Sequence, residues 1–199
     1  MVGRLILVVG PSGVGKDSLL DGARAALKGD PAFVFPRRYT TREPDLGGED
    51  YIALTPDEFD FERARGTFAL SWEAHGLSYG VPASIRGDLA MGINVVVNVS
   101  RAVLDAARAT FPGLRVISII APRDILRQRL LARGRETEEE IEERLERAEA
   151  FQLDGPDVLT ISNDATLEEG IARFVGLIRQ AAQKESARPA ETAHPSPAA

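Results

Sequence analysis

Seven consecutive residues, Gly10-Pro11-Ser12-Gly13-Val14-Gly15-Lys16, have the types and spacing of a phosphate-binding loop. Glycines let successive backbone N–H groups turn toward phosphate oxygens, and a helix opening at the lysine adds its partial positive charge. Lys16 brings a full charge to the β- and γ-phosphates of a nucleotide. A glycine-rich turn with no ligand would have no use for that lysine. After it this pattern expects Ser or Thr, but the chain has Asp17 and then Ser18. One step along a helix swings a side chain by about 100°, so Ser18 does not replace the hydroxyl. Asp17 either binds Mg²⁺ through a carboxylate oxygen or is an acid favoured in a helix's first turn. The segment Gly10 to Ser18 is therefore expected to hold ATP, with Asp17 as candidate metal ligand.

The remaining charge chemistry is basic and local. Arg37, Arg38 and Arg42 cluster, and a second group runs from Arg123 to Arg147, inside a chain whose net charge is -6. Such clusters in an acidic protein fit a compact anionic ligand, and no nucleic-acid partner is expected. Arg129, Arg133 and Arg135 belong to that second group, with Gly134 interrupting the helix between the last two. The competing reading is a solvated helix, which suits the i,i+4 pairs Glu140–Arg144 and Glu143–Arg147 better than it suits Arg133-Gly134-Arg135.

Those side chains need a scaffold. Unalternating apolar runs at 4–9, 93–99, 116–120 and, more weakly, 158–161 read as buried parallel strands. Helical stretches at 16–27, 102–111, 123–132 and 167–182 follow them, so a doubly wound α/β sheet with helices on both faces is predicted. From Phe33 to about residue 81 the pattern breaks into short strands, loops and one small helix with the capping box Thr55 to Glu58, as in an inserted acceptor-binding lobe. Residues 68–74 read as a strand before a His75-Gly76 turn, and a second capping box, Thr137 to Glu140, opens a helical stretch over 138–151. The expected domain is 1–183, with 184–199 a disordered tail rich in Ala, Pro and Ser. At 199 residues, 44% of them hydrophobic, the chain suits one globular domain. No apolar run is long enough to cross a membrane, no leader-like series opens the chain, and there is no cysteine, so a cytoplasmic setting is expected.

The segments GPSGVGKDSLL, RRYTTREPDLGGEDYIAL, FALSWEAHGLSYG and RQRLLARGRETEEEIEERL, in that order and spacing, resemble the guanylate kinase superfamily over roughly residues 5–177. The resemblance implies a five-stranded parallel core, an acceptor lobe and, at about 132–148, a lid; it assigns Arg129, Arg133 and Arg135 as the lid arginines that reach the transferred phosphoryl group. It assigns Arg42, Tyr51 and Tyr79 to the acceptor phosphate, a role that a forked guanidinium and two phenols suit. Half-buried packing is the alternative for each tyrosine taken alone. The second arginine of that clamp is matched by Asp45.

The departures concern the base. Leu70 stands where the superfamily has a guanine-reading carboxylate, Val81 and Pro82 replace hydroxyls, and Asn98 and Ser100 replace acids. Leucine accepts no hydrogen bond, and each buried guanine N–H left unpaired costs about 1–3 kcal/mol. GKDSLL, GGED, FALSW with HGLSYG, and NVSR resemble instead a family within that superfamily, the ribose 1,5-bisphosphate phosphokinases. That resemblance implies a phosphorylated sugar as acceptor, with ATP and Mg²⁺, and 5-phosphoribosyl 1-diphosphate as product. The expected acceptor set is Arg38, Arg42, Tyr51, Glu73, Tyr79, Asn98 and Arg144, with His75 and Arg101 as further candidates and Trp72 as packing. A guanylate kinase with a rearranged pocket and a catalytically silent binding module are the alternatives.

Overall fold

A computed structural model describes residues 2–43, 50–134, 137–150 and 153–183, and of Arg133 the backbone alone. Five parallel strands form the core: β1 (Leu5–Val9), β2 (Phe33–Val34), β7 (Asn94–Asn98), β8 (Arg115–Ile120) and β9 (Val158–Ser162), in the order β2-β7-β1-β8-β9. All five residues of β1 are buried because the sheet is covered twice. Leu5, Leu7 and Val9 join the layer containing α3 (Ile85–Ala90) and α4 (Leu104–Thr110). Ile6 and Val8 point the other way, into the layer of α1 (Lys16–Ala26) and α7 (Leu167–Ala182). The strand after which the phosphate loop falls is thus central, and the loop emerges at the carboxyl ends of the strands, where such sheets bind ligands.

A second sheet carries the lobe. Its strands are β3 (Arg38–Thr40), β4 (Tyr51–Ala53), β5 (Phe68–Ala74) and β6 (Leu77–Pro82), ordered β4-β3-β6-β5. Helix α2 (Pro56–Ala64) flanks it, with Phe59 stacked on Phe68 at 4.7 Å between ring centres. Strands β5 and β6 are joined by His75 (φ 52) and Gly76 (φ 74), the two left-handed positions of the tight hairpin turn that matches strand twist. Leu70, Trp72 and Val81 turn inward and join the core layer of α3 and α4.

The lid is a helix pair, α5 (Arg123–Arg133) and α6 (Glu138–Glu149). Leu126 and Leu130 pack on Ile141 and Leu145, and Arg127 bridges Glu142 at 3.1 Å and Glu138 at 3.6 Å. Arg123 pairs with Glu142 and, at 3.0 Å, with Glu149, whose hydrogen bond is the main cause of a guanidinium pKa raised above its ordinary value. Gly134 (φ 60) caps α5 in the left-handed region, at the break that the sequence predicts.

Both predicted capping boxes form, and a third, Thr166 with Glu169, starts α7. The helix expected over 102–111 begins instead with a 3₁₀ turn, Arg101–Val103, because the Ser100 hydroxyl accepts the Ala102 N–H at 3.3 Å. The short strands β2 to β4 and helix α3 carry too little periodicity to be placed from sequence. Asp45, Gly47, Gly48 and Glu49, the side chain of Arg133, Arg135, Phe151 and the tail from Lys184 lie outside the described residues. Among the described residues no helix is long and apolar enough to cross a membrane.

Candidate active site

The phosphate loop takes its shape from two glycines in left-handed conformation, Gly13 (φ 86) and Gly15 (φ 93). Neither has room for a side chain. A Cβ on Gly13 would lie 2.8 Å from Leu130 Cδ2 of the lid, and one on Gly15 would lie 2.6 Å from Asn163 Nδ2. Lys16 leans back over the loop, its Nζ donating to the carbonyls of Gly10 (2.8 Å) and Pro11 (3.0 Å).

Three distant residues hold this loop from outside. Asn163, following β9, donates from Nδ2 to the Val14 carbonyl at 2.8 Å. Arg129 of α5 donates to the same oxygen at 3.2 Å, and Arg144 of α6 donates to the Ser12 hydroxyl at 2.9 Å. Arg129 and Arg144 thus each touch the phosphate loop, one from each helix of the pair. Asn163 is absent from the sequence-predicted set; its one signal is a polar residue ending an apolar strand.

The second sheet brings three of the sequence-predicted acceptor residues, Arg38, Tyr51 and Tyr79, to one face. Tyr51 pairs with Arg38 across β4 and β3, Thr40 with Tyr79 across β3 and β6, and Tyr79 with Trp72 across β6 and β5. Side chains two apart or directly opposite share a face, so Tyr51, Arg38, Tyr79 and Trp72 form a row across all four strands. Trp72 stacks on Tyr79 with ring centres 5.4 Å apart and an interplanar angle of 11°. The Arg38 guanidinium lies 5.8 Å from the indole centre and 5.3 Å from the phenol centre, so both rings hold it. Trp72 packs as expected, and what it packs against is Tyr79 and Arg38. The Tyr51 hydroxyl donates to the Glu43 carbonyl at 2.6 Å.

Arg42 sits in the bend beyond β3, shaped by the two threonines before it. The Thr40 hydroxyl accepts the Arg42 N–H at 3.2 Å, and the Thr41 hydroxyl accepts the Ser78 N–H at 2.9 Å. Glu73 is not brought to the row. It alternates with Trp72 along β5, lies on the opposite face, and pairs with Arg63 of α2 at 3.6 Å. His75 occupies the exposed hairpin turn, and Arg101 opens the 3₁₀ turn.

Asn98 ends β7 beside Val8 of β1, close in register to the start of the loop, and is 8% exposed. Among the described residues its side chain makes no hydrogen bond, which leaves a buried amide for a ligand or its water. Asp17 is exposed in the first turn of α1. No group of three or more His, Cys, Asp or Glu forms a metal cage among the described residues. One exposed carboxylate beside a phosphate loop fits Mg²⁺, which keeps most of its waters and takes its other ligands from phosphates. The apolar side chains of Leu70 (5% exposed) and Val81 (fully buried) leave no base-reading group at those positions.

A phosphate loop at the carboxyl ends of a parallel sheet, together with a second sheet bearing a row of basic and aromatic side chains, is the arrangement of a P-loop phosphotransferase. The guanylate kinase family profile matches residues 2–180, and the chain belongs to that family. It is 48% identical over 179 residues to a ribose 1,5-bisphosphate phosphokinase of Thiobacillus denitrificans, covering 90% of this chain and 94% of that one. It is 52% identical over 179 residues to a bifunctional ribose 1,5-bisphosphokinase-thymidine phosphorylase of Roseobacter denitrificans, where 89% of this chain spans 26% of the relative. Among solved structures, guanylate kinase from Anaplasma phagocytophilum superposes with a TM-score of 0.66 at 21% identity, over 92% of this chain and 88% of that one, which establishes the fold.

Proposed function

We propose that the chain transfers the γ-phosphoryl group of ATP to the phosphate on carbon 1 of ribose 1,5-bisphosphate. The bond between the γ-phosphorus and the β,γ-bridging oxygen breaks. A bond forms between that phosphorus and an oxygen of the acceptor phosphate, giving ADP and 5-phosphoribosyl 1-diphosphate. The observation that carries this reading is the acceptor row itself, Tyr51, Arg38, Tyr79 and Trp72, set beside Leu70 and Val81 with no group to read a base. Near-half identity to a ribose 1,5-bisphosphate phosphokinase over almost its whole length supports it.

The acceptor oxygen is already ionised at neutral pH, so no general base is required. The work left to the protein is to align two polyanions and neutralise charge on the moving group. Lys16 and the loop N–H groups bind the ATP phosphates, and Arg42, Arg38, Tyr51 and Tyr79 orient the acceptor. The lid arginines Arg129, Arg133, Arg135 and Arg144 close over the transferring phosphoryl group and exclude water. Asp17 would hold Mg²⁺, with Asn98 toward its waters or the acceptor; the ion supplies charge neutralisation on the phosphates. A cytoplasmic setting, where ATP is abundant, fits a chain with no cysteine.

The test is coupled ADP release with ATP and Mg²⁺, comparing ribose 1,5-bisphosphate with GMP. Turnover on the sugar with the diphosphate product detected is expected; turnover on GMP alone would overturn the acceptor assignment.

A further inference from the structure

Val14 and Gly15 share one trans peptide plane, so the Val14 carbonyl and the Gly15 N–H point in opposite directions. On the carbonyl side two donors converge, Asn163 Nδ2 at 2.8 Å and Arg129 Nη1 at 3.2 Å. We propose that Asn163 is a positioning residue for nucleotide binding: its amide pins the Val14 carbonyl outward and so presents the Gly15 N–H to the phosphates of ATP. This rests on reading the loop as the ATP-phosphate site.

Asn163 is built to hold one position. It is 5% exposed, and its own backbone N–H donates to the Ile120 carbonyl at 2.8 Å, fixing it to the end of β8. Its Oδ1 is backed by α7, where a Cβ on Gly170 would come within 3.0 Å. On the other side Nδ2 touches the space above Gly15, where a Cβ would lie at 2.6 Å. Glycine at 15 and at 170 therefore leaves a slot that the amide fills. An amide locked between helix and loop cannot swing away, so the plane is oriented before any nucleotide arrives. Preorganisation of that kind spares the reorganisation that binding would otherwise require. Arg129 comes from the lid, whereas Asn163 comes from the core, so only the latter is fixed by the sheet.

The experiment is titration of the full chain with Mg-ATP and, separately, with inorganic tripolyphosphate, for wild type and N163A. Loss of one buried hydrogen bond should weaken both ligands by the same factor, about tenfold. The KM for ribose 1,5-bisphosphate should stay unchanged. Weaker ATP binding with tripolyphosphate unaffected would place Asn163 on the adenosine side and overturn the proposal, as would unchanged affinity for both. If N163A fails to fold, the wild type suffices. The Gly15 amide resonance should move on adding tripolyphosphate, and a resonance that stays still while the ligand binds overturns the proposal. Wild type binding neither probe would remove the nucleotide reading and this inference with it. Neither titration contains the acceptor, so failure of the acceptor assignment cannot imitate failure here.

Discussion

Replacing Gly15 by alanine tests how tightly the loop is specified. At φ 93 a residue with a Cβ pays roughly 1–2 kcal/mol that glycine does not. The new methyl would also sit 2.6 Å from Asn163 Nδ2, against an ordinary contact of about 3.4 Å or more, so one of the two must retreat by several tenths of an ångström. Asn163 has α7 behind it, and moving it breaks its bond to the Val14 carbonyl, worth about 1 kcal/mol. The sum is about 2–3 kcal/mol. Where it appears depends on whether the empty loop keeps its shape. A rigid loop carries the strain in the folded state and lowers Tm by about 5–10 °C for a domain of this size. A loop that relaxes when empty escapes that loss but must be restored by the nucleotide, and ATP binding weakens roughly 30- to 150-fold. The assay is a thermal melt and an ATP titration on the same preparation, with the two free-energy losses added. A Tm and a Kd both within about 0.5 kcal/mol of wild type would refute the reasoning, because neither the left-handed backbone nor the Asn163 contact would then constrain the loop.

Lys16→Ala removes the charge set against the ATP phosphates and is expected to abolish coupled ADP release; near-normal turnover of the purified variant would sink the mechanism. Trp72→Ala removes the ring that supports Tyr79 and helps hold Arg38, contacts worth together about 1–2 kcal/mol, so the KM for ribose 1,5-bisphosphate should rise roughly tenfold. The KM for ATP should be unchanged and Trp72→Phe should recover most of the loss, whereas equal effects on both substrates would count against the acceptor row. Leu130→Ala opens a cavity in a lid core whose buried members are Leu126, Leu130, Ile141 and Leu145. A loss of about 2–4 kcal/mol is expected in denaturant unfolding, with faster hydrogen exchange in α5 and α6; a cost below about 1 kcal/mol would mean the site collapses freely.

What the sequence disclosed was mostly what is local. Strand, glycine loop, lysine and helix fall within about twenty residues and report one another, and the capping boxes need only four. The strand over 68–74 and its turn were equally readable, because His75-Gly76 is a local signal. The face of Glu73 was not. What each face of that strand meets is set by its pairing, with Trp72 opposite Tyr79 and Glu73 opposite Ser78, and that register is fixed by residues outside the strand. Asn163 was out of reach for a different reason: its bond to Val14 spans 149 residues, and nothing adjacent in the chain marks it. Arg129 was readable as a lid arginine, but its contact with a loop carbonyl, in addition to any phosphate, needed the packing of α5 on Gly13.

Trp72 is the chain's only tryptophan, and it lies in the row with Arg38, Tyr51 and Tyr79. Its emission therefore comes from a single place, with a phenol stacked at 5.4 Å and a guanidinium at 5.8 Å as its immediate surroundings. With the acceptor placed as proposed, the unmodified protein carries its own optical probe of that substrate. Light absorbed by the indole should report the arrival of a sugar bisphosphate through Tyr79 and Arg38, while ATP alone should leave the spectrum nearly still. Order of substrate addition can then be read from one cuvette, without label or mutation.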